Sequence, residues 1–467
     1  MAGIGFELRK LLQRDTLAAP VAALGHAAVI AAGPWIFTIL ALVLISTLSG
    51  SQVSQETLSG FRVIVIYAFA LSLVATAPIV IVATRITGDA IFMKKFERIR
   101  PLFVASLATG AAVTAFLTLF AYLALFRMPL EYALVGVVCC TFVGMIWVSL
   151  AFCGAVRDYH GVTISFLIGL LTAVLATAGA MRQGFGAPGM VLGFCVGLAI
   201  IFFGLTSRVL ATFPQPVPQL LDAVQTLISG LRHYYALALG ALLASVAIWI
   251  DKWIMWVGPV AERSQVGLPH APTYDSAMFI AYLASIPALA LFVTTLETTF
   301  FDKYRKYYGS IANHATLAQI RRNAGELEHE TLHTITRIVL IQATLCAIVA
   351  LAAPLIVAAS GLHLQQTGIL RVGAIGAIFQ FLFLACSSLL LFFARHLQYL
   401  GLQALFLLLQ AGLTLATIAL GIEFYGLGYL LACLICGVLS FFALASTMRD
   451  IDFLTFIVGN HRRPLAI

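Results

Sequence analysis

Trp249-Ile250-Asp251-Lys252-Trp253-Ile254-Met255-Trp256 closes an apolar run that begins near Tyr234, and it places an acid and a base side by side inside that run. A helix rises about 1.5 Å per residue, so about 20 residues cross a hydrocarbon core some 30 Å thick. The run from Tyr234 reaches that length before Trp253. The stretch therefore reads as a membrane span carrying a charged pair. Charges in a span cost at least a few kcal/mol, so they pair, face a wet cavity, or lie at the interface. Two placements stay open. In one, Asp251 and Lys252 look into a central cavity. In the other, they lie at the outer interface within an aromatic belt. Adjacent helical residues point about 100° apart, so the two cannot share one narrow face.

Composition extends the membrane reading to the whole chain. Of 467 residues, 61% are hydrophobic and 10% charged, against about 25% charged in soluble domains. The chain is an integral membrane protein with no room for a separate soluble domain. The formal charge of +8 is explained by its placement along the chain, so nucleic-acid binding is not inferred. Eight cysteines fall inside apolar runs, where they act as small hydrophobes. Cys433 and Cys436 have the spacing of a metal or redox pair but lack a second Cys or His pair, so no metal or cofactor is expected. The first apolar run is too long for a signal peptide, so the chain is expected to insert whole.

Residues 1–19 form a basic amphipathic segment, with Ile4, Phe6, Leu8, Leu11 and Leu12 among Arg9, Lys10 and Arg14, suited to an anionic membrane face. Twelve spans follow, at about 20–48, 61–84, 101–126, 131–156, 161–182, 187–209, 232–258, 273–299, 336–359, 367–394, 398–422 and 424–447. Sorted onto alternating sides, 21 of the 27 Lys and Arg share the side of the N-terminus. Only Arg62, Arg127, Arg182, Arg263 and Arg371 fall on the other, and Lys252 stays in its span. Cationic loops remain inside, so both termini are expected in the cytoplasm.

An internal repeat divides the chain. At an offset of 209, Pro78 meets Pro287, Ala75 meets Ala284, Phe92 meets Phe301 and Lys94 meets Lys303. At an offset of 240, Leu175-Ala176-Thr177 meets Leu415-Ala416-Thr417, Gly161 meets Gly401, Gly186 meets Gly426 and Gly197 meets Gly437. The offsets differ by 31 residues, which the longer connection at 301–336 absorbs. Six spans per half means parallel copies related by an axis along the membrane normal. The expected fold is an all-α membrane protein of twelve transmembrane helices in two six-helix bundles. Its parts are the segment 1–19, a first bundle at 20–210, a cytoplasmic linker at 211–231, a second bundle at 232–447 with the cytoplasmic loop 301–336, and a tail at 448–467. Pro34, Pro78 and Pro287 are expected to kink their spans. Gly189, Gly193 and Gly197, one every fourth residue, mark a close helix contact.

The opening Met1-Ala2-Gly3-Ile4-Gly5-Phe6-Glu7-Leu8-Arg9-Lys10-Leu11-Leu12, together with Gly33-Pro34-Trp35 and the twelve-span plan, resembles the PelG family. That family is related to the multidrug/oligosaccharidyl-lipid/polysaccharide (MOP) exporter superfamily. The resemblance implies a V-shaped pair of bundles with helices one and seven facing a central cavity. It also implies export of a nascent N-acetylhexosamine-rich polysaccharide across the bacterial inner membrane. The implied partners are a cytosolic glycosyltransferase, other Pel inner-membrane proteins and membrane lipids.

The residues themselves point away from catalysis. Acids are scattered, no Ser/His/Asp set is evident, and no Walker-type glycine loop appears, so neither an enzyme nor a built-in ATPase is expected. Thr87-Gly88-Asp89-Ala90-Ile91-Phe92-Met93-Lys94-Lys95 departs from the major facilitator loop, which lowers that class. The candidate substrate path comprises Asp251, Lys252, His26, Trp249, Tyr67 and Tyr282. His26 reads also as a core histidine bonded to a carbonyl, and the aromatics, with Tyr159 and Trp147, as belt residues. Arg85 and Glu297 lie near the cytoplasmic ends of repeat-equivalent spans, as a gate pair or as snorkelling residues. Tyr304, Tyr307 and Tyr308 beside Lys303, Arg305 and Lys306 suit either docking of a glycosyltransferase or a lipid-facing basic helix. An ion-coupled exporter using Asp251, and a membrane scaffold for a synthase, are the competing functions.

Overall fold

In hydrocarbon every backbone amide must find its partner within the protein, and a helix does so within one segment. The computed structural model describes residues 38–50, 53–156, 158–217 and 220–458, apart from the side chains of Tyr159 and Val458. They are almost wholly helical. Eleven described helices are long and apolar enough to cross a membrane, one for each expected span from the second onward. Of the first span only the short apolar helix α1 (Thr38–Ser49) is described, and its Pro34 and His26 lie outside the described residues.

The chain forms two compact units. The first comprises residues 38–249 with Ala261–Ala271. Its helices are α2 (Gln55–Phe92), α3 (Ile99–Phe120), α4 (Leu130–Val156), α5 (Tyr159–Arg182), α6 (Gly186–Thr212), α7 (Leu220–His233) and α8 (Tyr235–Met255) up to Trp249. Ser54 caps α2 by accepting from the Thr57 amide at 3.2 Å. Pro78 lies inside α2 without breaking it. The glycine signal in α6 is a true contact at two of its three positions. A Cβ at Gly193 would come within 2.8 Å of the Ala176 backbone, and one at Gly197 within 2.3 Å of the Gly169 carbonyl oxygen. Gly189 faces only its own Phe185. The stretch expected as a linker at 211–231 contains most of α7, which buries Leu227 and presses Gly230 against Ile86 of α2. A short hairpin, β1 (Glu262–Arg263) with β2 (Pro269–His270), completes the unit, Glu262 standing opposite His270.

The second unit comprises Ile250–Val260 and residues 272–458. Its helices are α9 (Pro272–Leu283), α10 (Ile286–Thr295), α11 (Phe301–Ala312), α12 (Leu317–Ala359), α13 (Gln366–Phe392), α14 (His396–Leu420) and α15 (Leu427–Arg449). A π-helical turn at Leu296–Phe300 joins α10 to α11, and a short turn, Ile451–Phe453, follows α15. At Pro287 the chain behaves unlike at Pro78. The helix stops after Leu283, tight turns close from Ala284 to Ala281 and from Ser285 to Tyr282, and a new helix starts with the proline in its first turn. There the missing amide costs nothing, because first-turn donors have no helical acceptor. The connection expected at 301–336 is helical on both sides of Asn313–Thr316, forming α11 and the first half of α12. Phe292, Phe300, Tyr307, Leu327, Ile338, Phe381, Leu389 and Met448 belong to one core that runs from the apolar spans into this hairpin.

Candidate functional site

The charged pair that organises the sequence is fully enclosed. Asp251 is 0% exposed and Lys252 8%, so both charges are enclosed by protein and neither faces open solvent. Lys252 Nζ lies 3.0 Å from Asp251 Oδ1 and 3.1 Å from Oδ2. The remaining capacity of each charge is met by a tyrosine from α9. Tyr274 donates to Asp251 Oδ2 at 3.0 Å, and Lys252 donates to the Tyr282 hydroxyl at 2.9 Å. The ammonium also stands 4.5 Å from the centre of the Tyr282 ring, a cation–π contact strengthened by its dry setting.

The sequence arranges this cage simply. Tyr274 and Tyr282 are eight residues apart on α9, two turns along one face, with buried Ala277, Met278 and Ala281 between them. Trp256, one turn past Lys252, donates its indole N–H to Asp275 at 2.7 Å, a third polar tie between the end of α8 and α9. Behind Tyr282, the ring of Tyr429 from α15 packs edge-on at 5.4 Å, and its hydroxyl donates to Gln380 Oε1 at 2.6 Å. That ring fits because residue 376 is glycine: a Cβ there would come within 2.4 Å of it. A buried charge pair repays its desolvation only with good geometry and further hydrogen bonds, and this one has both.

The other sequence-predicted residues fall elsewhere. Tyr67 is buried in the first unit, where its hydroxyl donates to the Pro269 carbonyl at 2.7 Å and its ring meets Phe126 edge-on at 5.5 Å. The structure thus brings Asp251, Lys252 and Tyr282 together, while Tyr67 anchors the hairpin. Trp249 is buried in the turn of α8 before Asp251. Trp147 packs edge-on against Phe69 and lines a small apolar pocket with Phe194 and Ile201. Arg85 lies 3.4 Å from Asp89 on the same helix and over the ring of Tyr234 at 5.8 Å, with the Tyr234 hydroxyl donating to Asp89 at 3.1 Å. Glu297 is buried in the π-helical turn of the second unit. His26 and the Tyr159 side chain lie outside the described residues.

Tyr274 and Gln380 were missed by sequence reasoning; their only signal was polarity within apolar runs. One further motif is legible. His329-Glu330-Thr331-Leu332-His333 has the H-E-x-x-H spacing of helical zinc sites, and its exposed rings stack at 5.9 Å. Among the described residues no third side chain completes such a site.

Comparison with known proteins places this architecture. The family model described as "PelG: Putative exopolysaccharide Exporter (EPS-E)" matches residues 1–456. Curated proteins give no match. Among solved structures, a MATE transporter of Vibrio cholerae, VcmN, is 12% identical with a TM-score of 0.65, over 97% of this chain and 98% of that one. A MOP superfamily transporter from Pyrococcus furiosus is 16% identical with a TM-score of 0.62, over 97% and 99%. An outward-facing MATE transporter of the MOP superfamily is 16% identical with a TM-score of 0.59, over 98% and 99%. At such identities the likeness concerns the fold alone, which is that of the MOP transporters. Matched by its family model along nearly its whole length, the chain belongs to the PelG family.

Proposed function

We propose that this transporter is a polysaccharide translocase of the bacterial cytoplasmic membrane. It moves a nascent Pel-type, N-acetylhexosamine-rich exopolysaccharide outward through a cavity between two six-helix bundles, with both termini in the cytoplasm. The observation that carries the reading is the exopolysaccharide-exporter family match over residues 1–456. The physics agrees with it. A sugar polymer carries hydroxyls and amides that cannot be stripped of water in lipid, so its path needs polar and aromatic walls. Asp251, Lys252 and Tyr282, with Trp249 beside them, form a buried polar and aromatic cluster within an apolar bundle, and we assign them to that path. His26, Tyr67, Arg85 and Glu297 keep the path and gate roles assigned from the sequence. A cytosolic glycosyltransferase and other Pel inner-membrane proteins supply the polymer.

The competing reading, an ion-coupled exporter of small molecules, would use Asp251 as its titrating acid. An acid already neutralised at 3.0 Å by a lysine has less need of a transported cation, which favours the polymer reading. The test is extracellular hexosamine polymer in cells deleted for the chain and complemented with wild type, Asp251→Asn or Lys252→Met. Membrane insertion is checked by the amount of protein in the membrane. Export lost on deletion and not restored by inserted variants supports the assignment; polymer secreted undiminished by the deletion strain overturns it.

A further inference from the structure

The hairpin of α11 and the first half of α12 reaches well beyond any membrane surface, and its far end is cationic. Helix α12 is uninterrupted from Leu317 to Ala359, and its buried apolar half begins near Ile335 and Ile338. Arg322 precedes Ile338 by sixteen positions, about 24 Å along the axis at 1.5 Å per residue. The headgroup layer extends only about 5–7 Å past the hydrocarbon on each side. Even a tilt of about 40°, the upper end of the usual range, leaves a rise of about 18 Å. Arg321 and Arg322 therefore stand clear of lipid headgroups, which decides against a lipid-facing basic helix at this end.

The extension is built as a rigid body. Lys303 and Lys306 of α11 reach Glu326 of α12 at 3.0 and 2.9 Å, and Thr316 caps α12 through the Gln319 amide. Tyr307 is buried and donates to Asp452 at 3.0 Å, which ties the turn after α15 to the hairpin. Ile320, Ala324 and Leu327 continue the bundle core into it. Arg305, Lys306, Arg321 and Arg322 remain exposed, and Leu317, one turn before Arg321, is 57% exposed. Glu328 and Glu330 follow Arg322 by six and eight positions toward the apolar half of α12, so the far end keeps an excess of cations that suits an acidic protein face.

We propose that this hairpin is a docking surface for a protein partner whose own face is acidic and lies about 10–20 Å beyond the headgroups. Leu317 supplies an apolar anchor, and Arg321 and Arg322 supply charge selectivity. A rigid, pre-formed surface loses little entropy on binding. The proposal does not depend on which substrate crosses the membrane.

The test places a photo-crosslinking phenylalanine at residue 317 of the full chain in living cells, with a control at Leu351, which is 81% exposed on the apolar part of α12. The expected result is one discrete protein adduct from position 317, with crosslinked peptides rich in Asp and Glu. Arg321→Glu with Arg322→Glu should reduce that adduct about tenfold or more, and the Gln pair should reduce it less. Both side chains are exposed, and what the reversal costs within the chain is the surface contact of Arg322 with Glu326 at 3.6 Å, so membrane insertion should not change and thermal stability should change little. Adducts to lipid alone, no protein adduct, or a protein adduct indifferent to charge reversal would each overturn the proposal.

Discussion

Removing one member of the Asp251–Lys252 pair should damage the protein more than removing both. At 3.0 Å and an effective dielectric of about 20, the pair attracts by about 5 kcal/mol. Asp251→Asn leaves a buried ammonium with one amide oxygen, the Tyr282 hydroxyl and a ring face. Lys252→Met leaves a buried carboxylate whose remaining donor is Tyr274. Each single change should destabilise by about 3–5 kcal/mol, the usual cost of an uncompensated buried charge. The double variant keeps neither charge, and the amide oxygen at position 251 can still accept from Tyr274; loss of the ion pair is offset by relief from burying two charges, which leaves the hydrogen bond and ring contact to Tyr282, about 1–3 kcal/mol. The two single costs should therefore exceed the double cost by several kcal/mol. Equilibrium unfolding in mixed micelles titrated with dodecyl sulfate measures all four corners. A double cost equal to the sum of the two single costs would show that the two charges are not coupled and would sink the account of the cage.

Three further outcomes follow from named contacts. Gly376→Ala should push the Tyr429 ring off Tyr282 and lower unfolding stability by about 1–3 kcal/mol, with partial recovery when Tyr429→Leu is added. Full additivity of those two changes would speak against the packing argument. Tyr307→Phe removes the donor to Asp452, costing about 1.5–3 kcal/mol locally, so limited proteolysis should cut near residues 451–458 sooner than in wild type. Gly197→Leu places a large side chain where α5 and α6 already touch through backbone. Folded protein recovered from membranes by size exclusion should fall severalfold, whereas Gly189→Leu should be milder because the added Cβ there meets Phe185, an exposed residue just before the helix, and no second helix.

What the sequence disclosed is what local pattern controls. Apolar length located eleven helices, and the four-residue glycine spacing located the α5–α6 contact. Asp251 and Lys252 were identified as a pair, but their surroundings were undetermined, because the deciding groups, Tyr274 and Tyr282, come from another helix. The helical nature of 301–336 was hidden because its polar face breaks the apolar run that marks a span. Pro78 and Pro287 match at the repeat offset, yet one lies within a continuous helix and the other starts a new one. A proline fixes its own backbone and removes one donor; whether the helix bends or restarts depends on the turn that precedes it. Here Ala284 and Ser285 close that turn, just after Tyr282 is fixed to Lys252.

The repeat also serves as an internal control on the meaning of the charged cage. At the offset of 209, the positions matching Asp251, Lys252, Tyr274 and Tyr282 are Leu42, Val43, Val65 and Leu73. Those matching positions are all hydrocarbon, whereas the second unit holds an ion pair and two phenols. Hydrophobic replacement of a buried ion pair is often neutral or stabilising, so the fold does not require the polar version. Its presence in the second unit is a physical reason to test the pair for a role other than folding. The pair lies where helices α9 and α10 part, with Tyr282 contributing both to the cage and to the turn that ends α9. A buried polar cluster placed at a helix break is therefore the place to test for coupling between substrate contact and movement. The transport reading itself rests on family membership, and the cage is where that reading can be tested on named residues.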